Sequence, residues 1–140
     1  MEIRTLLIAA IVVFASAALA NSVWFGGQLK RYVLSTRMLS TDLDVFRFKK
    51  IVAKQMRAAL LQIVLLSLPI VIFITGIMFK ALYPGDIFFV IIPSLAILAV
   101  AAYFRSWEIR ARNIPTATPE MLDQRDAIVR TWLRKALPDW

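Results

Sequence analysis

Three stretches of this chain carry no charged side chain, and each is long enough to cross a bilayer. They are residues 5–25, 58–79 and 87–104. A membrane helix needs about 20 mostly apolar residues, because only a helix or a closed barrel satisfies its own backbone in lipid. The pattern predicts an all-α integral membrane protein with three transmembrane helices. The second stretch is the most apolar: 14 of the residues from Leu60 to Phe79 are Leu, Ile, Val or Phe. At roughly 0.3–0.6 kcal/mol each, these favour insertion by about 4–8 kcal/mol before the cost of Gln62 and Pro69.

The first stretch differs in kind, being rich in alanine. Ala9, Ser16 and Ala20 share one helical face, and small faces let helix backbones approach closely in lipid. Ala18-Leu19-Ala20 also fits a signal-cleavage pattern behind Arg4. Cleavage would export the heavily basic segment that follows, so the helix is expected to remain attached.

Basic residues set the expected orientation. Eight of the 17 Lys and Arg lie in residues 26–57 and seven in the tail from Arg105, leaving only Arg4 and Lys80 elsewhere. The positive-inside rule then predicts an N-out/C-in chain, with the connection and the tail in the cytoplasm and the Tyr83-Pro84-Gly85-Asp86 turn outside. Trp24, Tyr103 and Trp107 fall at the expected inner interface and Tyr83 at the outer one. Asp86 is expected to cap the third helix, and Pro69 and Pro93 to shape the second and third spans.

Two amphipathic cytoplasmic helices are expected, at about 43–57 and 119–137. The first helix is predicted to run on through residues 28–39, and Ser40-Thr41-Asp42 to break it and start the next. From there one helix of nearly 40 residues enters the second span. Arg47, Lys50, Lys54 and Arg57 line one side of its exposed part, and Val45, Phe48, Val52 and Met56 the other. In the tail, Glu108 and Arg112 are spaced to pair, as are Asp126 and Arg130. Thr118 caps the last helix with Pro119 at its first position. Its predicted apolar side is Leu122, Val129, Trp132, Leu133 and Ala136. The expected division is a membrane domain 1–112 that includes the basic connection 26–57, a Pro-containing linker 113–118, and a tail helix 119–140.

Chemistry is scarce. The chain has no His and no Cys, which removes haem and zinc ligands of those types and the usual nucleophile and general base. No ionisable side chain lies within the spans, where such residues mark proton and ion pathways. No enzyme activity, cofactor or metal is therefore expected. Gln62 is the one strongly polar span residue and is expected, with Ala9, Ser16 and Ala20, to serve helix packing. Arg47, Lys50, Lys54, Arg57 and Trp132 are the candidates for binding anionic lipid headgroups or a protein partner.

The order of segments resembles the three-span relatives of YidC-type insertases: an N-out helix, a basic cytoplasmic helical connection, then a membrane hairpin. That resemblance covers order and orientation, and it implies insertion or assembly of membrane proteins with ribosomal RNA as a partner. Those proteins present a polar groove in the membrane, where this chain has Gln62 and a few hydroxyls. The leading expectation is a non-catalytic structural or accessory subunit of a larger membrane assembly, or a self-associating one. A homo-oligomeric channel or scaffold, with Gln62, Ser67 or Thr75 facing a pore, is the third reading. No DNA partner is expected, and a bacterial inner membrane is the default location.

Overall fold

The computed structural model describes residues 2–140. Among these, four α-helices, α1 (Ile3–Ser35), α2 (Asp42–Met78), α3 (Phe88–Arg112) and α4 (Pro119–Arg134), make up nearly the whole chain, with a 3-10 turn at Pro84–Ile87. Three of the helical segments are long and apolar enough to cross a membrane. Pro69 and Pro93 both lie inside continuous helices rather than ending them.

Two compact units divide the chain. The first joins the chain up to Val23 with Leu61–Ala101, and the second joins Trp24–Leu60 with Ala102–Trp140. This division crosses α1, α2 and α3 and does not follow the expected boundaries at 112 and 118.

In the first unit the buried residues of α1 are Ile11, Ala15 and Ala18. At about 100° per residue these fall on the face opposite Ala9, Ser16 and Ala20, all of which are exposed in the single chain. The small face expected to pack thus points outward, and the face of Ile11, Ala15 and Ala18 does the packing within the unit. Asn21 and Gln62 join α1 to α2 through a 2.8 Å bond from the Asn21 amide to Gln62 Oε1.

α2 ends in a tight reversal. The Lys80 N–H donates to the Ile77 carbonyl and the Ala81 N–H to the Gly76 carbonyl, with Lys80 at φ 56°. This is a Schellman arrangement, which normally places glycine where Lys80 stands. Leu82 then folds back over Gly76, so closely that a Cβ there would lie 2.5 Å from Leu82 Cδ1. Asp86 does not cap as expected. Tyr83 is the N-cap of the 3-10 turn, and the Asp86 carboxylate reaches back to accept its N–H at 2.9 Å.

In the second unit α1 stops at Ser35, short of the predicted 39. Leu39 leaves the helix because its backbone is satisfied elsewhere. Its N–H donates to the Pro115 carbonyl at 2.8 Å and its carbonyl accepts the Ala117 N–H at 2.9 Å, a parallel bridge to the 113–118 segment. Thr41 then starts α2 with a reciprocal cap: the Asp44 N–H donates to the Thr41 hydroxyl and the Thr41 N–H to the Asp44 carboxylate.

The core of this unit is Leu39, Val45, Phe48, Val52, Met56, Ile114 and Ile128. All four residues of the predicted apolar side of α2 are in it. On α4 the packed residues are Met121, Ile128, Val129 and Trp132, whereas the predicted Leu122, Leu133 and Ala136 are exposed. The Thr118 hydroxyl accepts the Met121 N–H, as the cap requires. The helix ends at Arg134 rather than 137, and the released end is held by a Lys135–Asp139 ion pair. It brings the Trp140 ring 6.0 Å from the Lys49 ammonium. Glu108 pairs with Arg112, but Asp126 pairs with Arg125 rather than Arg130.

Candidate functional site

The four basic residues of the α2 face do not form one patch. Lys54 and Arg57 join Trp24, Phe25 and Gln28 of α1 in a crevice of about 290 Å³. Gln55 holds the two helices in register there, its amide donating to the Phe25 carbonyl at 2.8 Å. None of the five lining residues is acidic, and among the described residues neither Lys54 nor Arg57 is in an ion pair.

Arg47 lies about two to three turns away along the helix, in a cavity of about 580 Å³ at the α1–α2 connection, with Arg37, Tyr32, Ser35 and Ser40. Asp44 also lines it. Its Oδ2 accepts the N–H groups of Ser40 (3.1 Å) and Thr41 (3.0 Å) and the Ser40 hydroxyl, which hold the carboxyl below its ordinary range. Among the described residues neither Arg37 nor Arg47 is in an ion pair with that carboxylate. Lys50 is exposed and lines neither space.

Trp132 is half-buried against the core of the second unit, with the Arg112 guanidinium 5.3 Å from its ring. It is part of the packing within the chain rather than a free anchor. Sequence spacing could not reveal this, because the core that it packs against draws Val45, Phe48, Val52 and Met56 from α2 and Ile114 from the 113–118 segment.

A further cluster escaped the sequence reading. The Lys30 ammonium donates to the Tyr103 hydroxyl at 2.8 Å and lies 5.3 Å from the Trp107 ring, and Arg110 lies 4.7 Å from the same ring. The signal was present as aromatics at the expected interface, but its basic partner comes from α1. Gly26 packs under this region, where a Cβ would lie 2.3 Å from the Phe104 ring.

Within the first unit the polar groups are largely engaged. Gln62 Oε1 is taken by Asn21, although its Nε2 is buried without a partner. The Ser67, Thr75 and Ser94 hydroxyls donate to carbonyls of their own helices, those of Val64, Val71 and Val90. No protein-family model, curated protein or solved structure matches the chain.

Proposed function

We propose that the chain is a non-catalytic structural or accessory subunit of a larger membrane assembly, oriented N-out/C-in in a bacterial inner membrane. The observation that supports this best is how little of its spans it covers itself. The most apolar windows of the three helices are 17%, 11% and 6% buried. The second unit, by contrast, buries its own amphipathic faces against each other. The surface left for association is therefore on the spans, and the outward Ala9, Ser16 and Ala20 face of α1 is the place where another helix approaches most closely. The orientation rests on the bias of basic residues, fifteen of 17 falling in the connection and the tail.

The insertase and channel readings draw less support. Of the four bases on the α2 face, which an insertase would turn towards a ribosome, Lys54 and Arg57 line one space, Arg47 lines another and Lys50 lines neither, and the Ser67 and Thr75 hydroxyls are bonded to their own helices. Extraction from native membranes in mild detergent, followed by native mass spectrometry, tests the accessory reading. Co-purification at fixed stoichiometry with larger subunits is the expected result. A complex of this chain alone would reject it in favour of a self-associating scaffold.

A further inference from the structure

The crevice between Trp24, Phe25 and Gln28 of α1 and Lys54 and Arg57 of α2 has the composition of a lipid-headgroup site. Two of its walls are aromatic, and Trp24 is 61% exposed. Its two cations have no carboxylate among the described residues that line it, so their charge is available to an anion from outside. Its place along the chain sets its depth. Trp24 and Phe25 close the first charge-free stretch, and Arg57 is the last charge before the second begins at Ala58. Indole rings sit by preference at this level of a bilayer. At about 290 Å³ the space is at the small end for a complete ligand site and suits a headgroup whose acyl chains remain outside.

We infer that this crevice binds the phosphate of an anionic membrane phospholipid, with Lys54 and Arg57 holding the phosphate oxygens and Trp24 and Phe25 flanking the glycerol and upper acyl chain. The inference rests on the membrane-spanning reading but not on the accessory role. Arg offers a planar donor fork and Lys a mobile point charge, a pairing that grips a phosphate from two directions. Gln28 supplies a neutral donor at the same site.

The test is native mass spectrometry of the detergent-solubilised protein titrated with phosphatidylglycerol or phosphatidylcholine. In detergent there is no charged lipid surface to produce diffuse attraction, so a retained lipid reports a site. The wild type is expected to retain phosphatidylglycerol in preference to phosphatidylcholine. Lys54→Gln/Arg57→Gln should lower that occupancy roughly tenfold or more, since each base near a headgroup contributes on this scale. Arg47→Gln/Lys50→Gln removes the same charge from the same helix outside the crevice and should change it less than twofold. Lys54→Arg/Arg57→Lys keeps both charges and should restore most of the binding. Circular dichroism of each variant guards against loss of fold, and all four substituted side chains are exposed.

Equal losses in the two Gln pairs would overturn the proposal by showing that net charge alone attracts the lipid. Retention of both lipids alike would overturn it as well. Displacement of the bound lipid by millimolar inorganic phosphate would assign the site to a soluble anion instead. Larger subunits present or absent in the same spectra report the accessory role separately.

Discussion

Arg4 and Asp86, 82 residues apart, meet in a two-point ion pair: Arg4 Nη2 donates to Asp86 Oδ1 at 2.8 Å and Nε to Oδ2 at 3.2 Å. Asp86 is only 4% exposed and also accepts the Tyr83 N–H. The pair ties the start of α1 to the α2–α3 turn, and the Arg4 guanidinium lies 4.9 Å from the Tyr83 ring. Both charges flank the apolar stretches, just before residues 5 and 87. The bond to Arg4, followed by that from Tyr83, holds the Asp86 carboxyl below its ordinary range. Its contribution to stability is therefore complete above the ordinary carboxylate pKa of about 3.9 and is lost as pH falls through the depressed folded value. Asp86→Asn should lower the thermal midpoint in detergent at neutral pH and flatten the acid limb. Asp44, depressed by its cap, keeps a residual slope in the variant. An unchanged acid limb would show that the pair does not form.

The Asn21–Gln62 bond is expected to couple α1 to α2 modestly. Polar pairs between membrane helices measure roughly 0.6–2 kcal/mol. A double-mutant cycle with Asn21→Leu and Gln62→Leu, followed by unfolding in mixed micelles, should return a coupling in that range. A coupling near zero would mean that the bond is no stronger than the partners each amide finds when the helices separate.

Phe48 is fully buried, and its ring is stacked on Tyr32 at a centroid distance of 6.2 Å. Phe48→Ala should cost about 3–5 kcal/mol in the second unit. Because the lost contacts include the seat of α4, hydrogen exchange across Pro119–Arg134 should accelerate, while exchange in the membrane stretches stays slow. Uniform acceleration everywhere would contradict the division into two compact units.

The reversal after α2 predicts opposite signs for two neighbouring substitutions. Lys80→Gly removes left-handed strain of about 1 kcal/mol or slightly more and should stabilise the turn. Gly76→Ala pushes a methyl group into Leu82 and should destabilise it by about 1–3 kcal/mol. Thermal midpoints of the two variants in one detergent, lying on opposite sides of wild type, are the expected result.

Orientation is open to direct labelling because the chain has no cysteine of its own. Gly85 has open space around its Cα and no positive φ, and Ala127 is exposed on α4, so both accept Cys. In intact cells an impermeant maleimide should label Gly85→Cys at once and Ala127→Cys only after permeabilisation. The reverse pattern would invert the proposed topology.

What was legible from the residues follows from short-range rules. Charge-free length marked the three apolar helices, and the 3-4 spacing of Val45, Phe48, Val52 and Met56 marked the buried side of α2. Thr118-Pro119 marked the start of α4 to the residue. These depend on the helical repeat and on local capping, both of which are written within a few positions of sequence. Pairing between distant segments was not legible. Nothing near Leu39 announces that Pro115 and Ala117 will take its backbone bonds, so α1 was expected to run too far. The alanines of α1 lie on more than one side of the helix, and local spacing could not choose which side packs within the chain. Packing buried Ile11, Ala15 and Ala18 and left Ala9, Ser16 and Ala20 outside. In the same way the approach of α1 to α2 divided one basic stripe, drawing Lys54 and Arg57 into a crevice with Trp24 and leaving Arg47 beside Arg37. Periodicity determines which residues share a face; only the neighbouring element determines what that face meets.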